Sequence, residues 1–365
     1  MQRKHLLKEI LEATKDLWHR PDVRSSVRDN FAKTLACGTP ALGWEVYASE
    51  TEERIVYHRC KSRSCPSCGY RATLLWQQQQ EATLPEIPYA GIVFTMPRSL
   101  WRIFKQNRHL LHDLPALGAV VIQHWVKIRY GVRVLILAVP HTFGGDLKFN
   151  THLHILVSSV GLQELDGGLS PRLRFNREAL MRMWRYAVIT HLRGALKANV
   201  LKCGQNVREL SRLFTSEYER PFWIIYVDEI VSKEHFVKYA SRYVRRPPIA
   251  QRRLLNVTDR EVVFLAKVRK QSIQMHYSLS EFVATLATHV PDRYRHTIRY
   301  FGLLAPRAKG QTETALFAML GQEKKARPTQ LSWRNSLIKC FETDPLIDKN
   351  GQTMHWVRRQ QPITR

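Results

Sequence analysis

The sequence lacks a long apolar run. Its longest apolar segment, residues 134–140, is far shorter than the roughly 20 residues that a membrane-spanning helix needs. The N-terminus is charged and leads into an amphipathic stretch, which is not the pattern of a signal peptide. We therefore expect a chain that neither spans a membrane nor carries a secretion signal.

Acidic residues are scarce relative to basic ones. The 365 residues include 57 Lys and Arg but only 31 Asp and Glu, which gives a formal net charge of +26. A field of this strength attracts polyanions, and nucleic acid is the usual polyanion because each neutralised phosphate releases counterions. The apolar fraction of 44% allows a real core in one large domain or in two to three smaller ones.

Cysteines are few, and half of them are clustered. Cys60, Cys65 and Cys68 lie within nine residues, a spacing that favours a metal site over disulfides in an intracellular protein. Structural zinc takes four ligands in a tetrahedron. Three are evident here, and the fourth is either Cys37 or His58. The alternative is a set of plain buried cysteines.

Short apolar segments alternate with helical stretches along the rest of the chain. Apolar residues at helical spacing predict helices over 1–36, 110–130 and 177–196. Strands are predicted at 91–96, 132–139, 152–158, 223–227, 261–268 and 273–279. Because no short βαβ period repeats, the pattern indicates an α+β fold.

Two histidines share one face of a predicted strand. In the strand at 152–158, His152 and His154 point to one side, while Leu153, Ile155 and Val157 point to the other. With the apolar side in the core, both imidazoles can reach one ion, and histidine is the commonest side-chain metal ligand. The motif alone is weak, since two half-exposed histidines on a strand are ordinary.

Two tyrosines follow at helical spacing. Tyr239 and Tyr243 are four residues apart and therefore share one face of a helix, with His235 one turn earlier. The pair Pro247 and Pro248 is predicted to end that helix. Cations surround the tyrosines and are candidates for DNA contact: Lys238, Arg242, Arg245 and Arg246.

A phenol has a pKa near ~10 and is a poor nucleophile at neutral pH. Nearby cations and a phosphate activated by a metal ion would make it competent. Attack on a DNA phosphate would give a phosphotyrosine and a free 3′ hydroxyl, so that the strand can be rejoined without ATP. The alternative is a packed aromatic face on an amphipathic helix, which leaves the cluster of cations unexplained.

Together, and in this order, the motifs resemble the two-tyrosine rolling-circle transposases of bacterial insertion sequences. That family belongs to the HUH endonucleases, a class named for its His-hydrophobic-His motif. The resemblance covers most of the chain and is carried by residues 37–43, 60–68, 93–97, 141–144, 152–154, 239–249 and 298–304.

The resemblance implies a fold and three parts. It implies a mainly antiparallel sheet with flanking helices, preceded by a small helical and zinc-binding module. On this basis we expect a zinc-binding, DNA-contacting module at 1–85, an HUH catalytic domain at 86–308 and a basic C-terminal extension at 309–365.

The resemblance also implies roles for the candidate residues. Tyr239 and Tyr243 become nucleophiles, and His152 and His154 become ligands of Mg²⁺ or Mn²⁺. A third metal ligand is usual in the class, and it is His141 or His235, with His141 slightly favoured.

Two departures from the family pattern concern zinc. Family members often carry a Cys-x-x-Cys pair where residues 47–52 of this chain have no cysteine, so the fourth ligand stays open between Cys37 and His58. Residues 344–351 also lack the cysteine knuckle of some members, which argues against a second zinc.

The function implied is a transposase that nicks and rejoins single-stranded DNA at the ends of its insertion sequence and at its target. Its expected location is the bacterial cytoplasm, in association with the nucleoid. One alternative is a rolling-circle replication initiator with the same chemistry. The other is a zinc-dependent DNA-binding protein without catalysis.

Overall fold

The computed structural model describes residues 5–164, 167–202, 204, 206–244, 247–268, 271–326 and 331–362. Four antiparallel sheets are combined with helices, and the largest sheet has five strands. The predicted α+β class is therefore confirmed, including the antiparallel sheet with flanking helices and the small cysteine-containing module before it.

The three stretches predicted as helical from apolar periodicity, 1–36, 110–130 and 177–196, all contain helices, and further helices lie outside them. Their bounds are α1 Leu6–Ala13, α2 Lys15–Trp18, α3 Ser25–Ala36, α4 Pro66–Thr83, α5 Arg98–Gln106, α6 Arg108–Leu111, α7 Leu114–Tyr130, α8 Arg177–Lys197, α9 Val207–Glu219, α10 Lys233–Ala240, α11 Leu279–His289, α12 Lys309–Met319 and α13 Trp333–Phe341. Among the described residues, no helix combines the length and the apolar character needed to cross a bilayer.

The strands fall into four sheets. Their bounds are β1 Trp44–Ala48, β2 Glu53–Tyr57, β3 Tyr89–Phe94, β4 Val132–Arg133, β5 Leu135–Phe143, β6 Phe149–Ser158, β7 Leu162–Gln163, β8 Ile225–Ile230, β9 Leu254–Val257, β10 Glu261–Val268, β11 Gln271–Ser278, β12 Arg299–Gly302 and β13 His355–Gln360. The sheet orders are β12-β5-β6-β3-β8, β11-β10-β9, β13-β1-β2 and β4-β7.

The five-stranded sheet separates two cores. On β6, the side chains of Leu153, Ile155 and Val157 enter the larger core, which also contains residues of α5, α7, α8 and α9. Because strand side chains alternate, His152 and His154 lie on the opposite face. The alternation of this strand thus decides which side of the sheet carries the histidines.

The opposite face of the sheet is covered by α4, α10 and α12 over part of its area. Trp76 of α4, Phe236 of α10 and Leu316 of α12 belong to one buried cluster with the outward residues of β5. The Trp76 indole Nε1 donates a hydrogen bond to the Tyr300 hydroxyl at 3.1 Å. This packing fixes α10 against β3, and Tyr239 at the end of α10 packs against the same cluster.

Both ends of the chain pack against other parts of the fold. Leu7, Ile10 and Trp18 from the first helices share a core with Phe264 of β10 and Phe282 of α11. Strand β13, close to the C-terminus, pairs with β1 of the cysteine module. The tail beyond α11 therefore completes the sheet of the N-terminal module.

A carboxylate joins the N-terminal helices to the sheet-bearing part of the fold. Asp292 accepts hydrogen bonds from Arg24 at 2.6 Å and from Arg108 at 3.3 Å, and it lies 3.1 Å from the His112 ring. Burial disfavours its charge, but the guanidinium groups of Arg108 and Arg24 outweigh burial and hold the pKa of Asp292 below its usual value. The charged form is therefore the one that stabilises the fold.

We expect Asp292→Asn to lower the free energy of unfolding by about 1–3 kcal/mol at pH 7, because charge-assisted hydrogen bonds are lost in a half-buried setting. A group with a depressed pKa stabilises the fold above its unfolded pKa, and that contribution is lost as the pH falls through its folded pKa. The difference between the two proteins should thus shrink below about pH 4. Urea denaturation at several pH values measures it, with the exposed Asp259→Asn as the control. An equal loss at pH 7 and pH 3 would contradict this account.

Candidate metal and tyrosine site

Three histidines from adjacent strands form a cluster. The structure brings His141 of β5 to His152 and His154 of β6, and one ligand atom of each lies within 4.8 Å of the others. Ring centroids are 5.5 Å apart for His141 and His152, 4.8 Å for His141 and His154, and 4.9 Å for His152 and His154. Such a set of imidazoles can converge on one divalent ion.

His154 is the buried member of the original pair. Its side chain is only 4% exposed, and neither ring nitrogen has a hydrogen-bond partner among the described residues. Burial, followed by the charges of His141 and His152, holds the pKa of His154 well below its ordinary value. Burial also lowers the pKa of His152. Both rings are therefore neutral near pH 7, the form that binds metal.

Hydrogen bonds occupy one nitrogen on each of the other two rings. His152 Nδ1 lies 2.8 Å from the Asn150 carbonyl oxygen, and His141 Nε2 lies 2.7 Å from the Tyr243 carbonyl oxygen. A carbonyl can only accept, so each of these nitrogens donates its hydrogen bond. The donor set, including the unpaired nitrogens of His154, fits a divalent metal ion.

His235, the alternative third ligand, lies elsewhere. Its ring is exposed near the start of α10, and its Nδ1 is 2.9 Å from the Ser232 hydroxyl oxygen. It is not part of the histidine cluster. The geometry favours His141 for the third position.

The prediction that one helix carries both tyrosines as far as Pro247 was wrong. Helix α10 ends at Ala240, and Tyr243 lies in the turns that follow, where its amide donates to the Ala240 carbonyl at 2.9 Å. Beyond Ala240, the amides of Arg242 and Tyr243 bond carbonyls three residues back rather than four. The Tyr243 carbonyl cannot be bonded by the amide of residue 247, because Pro247 has no N–H. His141 takes that carbonyl instead.

The two tyrosine rings still lie together beside the histidines. Tyr243 stacks on His154 with a centroid distance of 3.8 Å and an interplanar angle of 23°. Tyr239 lies 5.3 Å from Tyr243. Burial, then the neighbouring Tyr243 and Asp228, raises the pKa of Tyr239 well above its ordinary value. The Tyr239 phenol thus needs a proton acceptor before it can act as a nucleophile.

Two further residues touch Tyr239 and were not predicted from the sequence. The Tyr239 hydroxyl donates to Asp228 Oδ2 on β8 at 3.3 Å. Gly91 on β3 faces the ring, and a Cβ there would lie 3.0 Å from Tyr239 Cε1. A glycine inside an apolar strand is a recognised sign of close approach and was available as a signal. Nothing in the local sequence marks Asp228.

Both tyrosines and both histidines of the β6 pair line one cleft of about 760 Å³. Of the predicted cations, Arg242 is exposed and lines this cleft, and Lys238 is exposed on α10. The predicted contacts Arg245 and Arg246 lie outside the described residues. The cleft also has Arg98 and Arg220 along its wall.

The four cysteines Cys37, Cys60, Cys65 and Cys68 form the second cluster. The Sγ atom of Cys37 is 3.6 Å from that of Cys68 and 3.7 Å from that of Cys65, and the Cys60 and Cys68 sulfurs are 3.7 Å apart. Four thiolates around one Zn²⁺ at about 2.3 Å would be roughly 3.8 Å apart. The sulfur positions thus fit a tetrahedral zinc site.

His58 is outside this cluster. Its Nδ1 is 3.0 Å from the Leu42 carbonyl oxygen, and its Nε2 is 3.1 Å from a Glu45 carboxylate oxygen. Both ring nitrogens therefore have other partners, and Cys37 supplies the fourth sulfur of the cluster.

A larger groove of about 2410 Å³ runs beside the cysteine module. Its lining includes side chains of the module, of the turn after α10, of β9 and of the C-terminal region. The cations along it are Lys33, Arg59, Lys61, Arg71, Arg242, Arg252 and Arg359. Arg242 lines both this groove and the tyrosine cleft, which places the two openings side by side.

Comparison with known proteins gives two family matches and two curated relatives. The transposase for insertion sequence element IS801 of Pseudomonas savastanoi pv. phaseolicola is 32% identical over 334 residues, which cover 87% of this chain and 80% of that protein. The family described as "Putative transposase" matches residues 136–312. The chain belongs to this transposase family.

The chain is also similar to a second transposase and, at its N-terminal end, to a zinc-binding domain. The "Putative transposase y4qJ" of Sinorhizobium fredii is 27% identical over 308 residues, which cover 80% of this chain and 77% of that protein. The family described as "Transposase zinc-binding domain" matches residues 9–96. No solved structure matches the chain significantly.

The match to the zinc-binding domain includes all four clustered cysteines of this transposase. Family and sulfur geometry therefore agree on a structural Zn²⁺ in the N-terminal module. Strands β1 and β2 of the sheet β13-β1-β2 lie in the same module, so an ion bound there would stabilise the part of the fold to which the C-terminal strand is attached.

We expect the purified protein to contain about one zinc ion per chain, because structural zinc is held by four thiolates in closed coordination. Cys37→Ser should lose most of this zinc and unfold at a lower temperature, whereas the matched variant His58→Ala should keep it. Elemental analysis and thermal denaturation measure both effects. Full zinc content in Cys37→Ser together with loss in His58→Ala would reverse the assignment of the fourth ligand.

Proposed function

We propose that this transposase nicks and rejoins single-stranded DNA at the ends of its insertion sequence, through phosphotyrosine intermediates on Tyr239 and Tyr243. The observation that supports it is the stacking of Tyr243 on His154 inside a three-histidine cluster, with Tyr239 beside it in one cleft. In a transposase, nucleophiles next to a metal-binding set indicate strand cleavage.

His141, His152 and His154 would hold Mg²⁺ or Mn²⁺. When bound, such an ion supplies Lewis-acid polarisation of a phosphate oxygen. The chain's own contribution is to present the imidazoles at fixed orientation, since the Asn150 and Tyr243 carbonyls hold two of the three rings. The hydrogen bond from His141 to the Tyr243 carbonyl also connects the histidine cluster to the segment that carries Tyr243. It thereby fixes the distance between the cluster and this segment.

The tyrosine performs the bond exchange. Its phenolic oxygen forms a bond to phosphorus while the bond from phosphorus to the 3′ oxygen breaks, and the leaving 3′ oxygen takes up a proton. For Tyr239, the phenol proton passes to Asp228, whose carboxylate already accepts its hydrogen bond. The number of phosphoester bonds is unchanged, so attack by a 3′ hydroxyl on the phosphotyrosine reverses the step without ATP.

The cations indicate a path for the DNA. The net charge of +26 favours phosphate binding at many points, and Arg242 connects the basic groove of the zinc module to the tyrosine cleft. DNA held in the groove would reach the cleft past Arg242. A replication initiator would use the same chemistry, but the relatives of this chain are transposases.

We expect a covalent protein–DNA adduct when the protein is mixed with single-stranded DNA carrying the element's ends and Mn²⁺. The double variant Tyr239→Phe, Tyr243→Phe should form none, because no phenolic oxygen remains. Gel electrophoresis under denaturing conditions measures the adduct. Tyr186→Phe, an exposed tyrosine on α8, is the matched control and should behave as the unmodified protein.

His154→Ala in the same assay should reduce adduct formation by about 100-fold or more, because several kcal/mol of transition-state stabilisation are lost. Salt-sensitive DNA binding should persist, since it depends on dispersed cations. Binding with no adduct in the unmodified protein would instead support a DNA-binding protein without catalysis. Equal loss of binding and cleavage in His154→Ala would contradict the division of roles.

Asp228→Asn should slow cleavage by Tyr239 about 100-fold, because an amide can hold the phenol but cannot accept its proton. The measurement is the rate of adduct formation in a Tyr243→Phe background, where Tyr239 is the remaining nucleophile of the pair. The neighbouring Glu229→Gln, exposed and paired with Arg172 at 2.9 Å, is the control. An unchanged rate in Asp228→Asn would remove this carboxylate from the reaction.

A further inference from the structure

The segment that enters β8 has apolar side chains on its outer side. Trp223 and Ile225 are buried in the larger core with Val227 packed against it, while Phe222, Ile224 and Tyr226 alternate with them and point outward. These three are 68%, 54% and 54% exposed. A strand with one solvated face normally carries polar residues there, and contiguous exposed apolar side chains mark a binding surface.

These three side chains, here called the β8 row, lie at the edge of the five-stranded sheet next to the metal-binding strands. Strand β8 is the outermost strand. Tyr226 pairs with Val93 of β3, and Val93 pairs with His154 of β6. Two strand spacings of ~4.8 Å therefore separate Tyr226 from His154. All of the β8 row lines the same cleft as the two tyrosines.

The β8 row is held in place by the surrounding structure. The Trp223 indole Nε1 donates to the Glu217 carbonyl at 3.1 Å, and the Thr95 hydroxyl donates to the Ile224 carbonyl at 2.6 Å. The segment is thus anchored on both of its sides. A surface that is already fixed loses less conformational entropy when it binds a partner.

Cations border the β8 row within the cleft. Arg98 and Arg242 are exposed on its wall, and Arg220, half-exposed and paired with Glu217 at 2.6 Å, lies at its outer end. Aromatic side chains beside a cationic groove are the surface that binds unpaired bases, because bases stack on the rings while the phosphates meet the cations. A duplex keeps its bases stacked inside and offers no faces to such a row.

We infer that the β8 row stacks the unpaired bases next to the phosphate that is cleaved. The inference rests on the proposed function, since it supplies the DNA strand in the cleft, and it names what that site recognises: single-stranded bases, read by Phe222 and Tyr226 with Ile224 between them. The β8 row thereby favours single-stranded over double-stranded DNA in the cleft that contains the two tyrosines.

The experiment measures binding of a fluorescent single-stranded oligonucleotide without added divalent ion. The double variant Phe222→Ala, Tyr226→Ala should bind roughly 10- to 100-fold more weakly, because the stacking of bases on both rings is lost. The salt dependence should not change, because the phosphate contacts remain. A variant with Phe222→Ala and Tyr226→Trp should recover part of the affinity that the double alanine variant loses. Tyr186→Ala, 60% exposed on α8, is the matched control.

An oligonucleotide with abasic sites tests whether the row touches bases. The double variant and the unmodified protein should bind this oligonucleotide equally. The inference is overturned if the variant loses the same affinity for base-bearing and abasic strands, or if it loses none. It is also overturned if the variant binds DNA normally but changes its sedimentation as an oligomer, which would make the row a contact between copies.

Adduct formation at saturating protein separates this inference from the proposed function. If the double variant forms the adduct at saturation but binds weakly, both stand. If the unmodified protein forms no adduct yet its binding depends on the bases and on the row, the cleavage chemistry fails and the base-stacking surface stands. If the double variant forms the adduct normally and its affinity still depends on the bases as in the unmodified protein, the inference about the β8 row is wrong. The proposed cleavage function is then unaffected.

Discussion

The His154 imidazole is buried against the five-stranded sheet, and no described group hydrogen-bonds to either of its nitrogens. A buried polar atom without a partner costs about 1–3 kcal/mol, so this ring is retained at a cost to stability unless something binds it. The stacked Tyr243 covers one face of the ring, and His141 and His152 stand at its edge. In the proposed function a divalent ion takes the free nitrogens, and the same ring positions the nucleophile that lies on it.

The alternation of β6 connects that site to the stability of the whole domain. Leu153 and Ile155 enter the larger core on one side, and the histidines therefore must lie on the other. A shift of the strand by one residue would place the imidazoles in the larger core and move Leu153 and Ile155 out of it. The register of β6 with β3 and β5 is thus set by packing energy, and the metal-binding set follows from it without further adjustment.

Sequence patterns predicted what is local and missed what depends on distant contacts. The period of two around His154, the spacing of Cys60 to Cys68 and the helical periodicity of α8 are all local, and the structure contains each arrangement. The Tyr243 carbonyl, in the turns beyond α10, is bonded by His141, more than 100 residues away. Asp228 on β8 reaches Tyr239 on α10 because the chain folds back between these two elements. The roles of the site residues and the three-part division of the chain stay predictions, and β13 pairs with β1 across that division.

The two tyrosines are chemically unequal, and this has a consequence for the proposed reaction. Tyr243 stacks on a member of the histidine cluster and its backbone is bonded by another, whereas Tyr239 lies over Gly91 and donates to Asp228. Within the described part of the chain, Tyr239 bonds a carboxylate, whereas Tyr243 lies in ring contact with His141 and His154. Two cleavages in one cleft would then use different proton acceptors beside the same metal ion, so that each strand end can be held by its own tyrosine while the other reacts. Two phenols alone would not set an order of reaction. The different surroundings of Tyr239 and Tyr243 would allow one chain to carry out two strand transfers in a defined order.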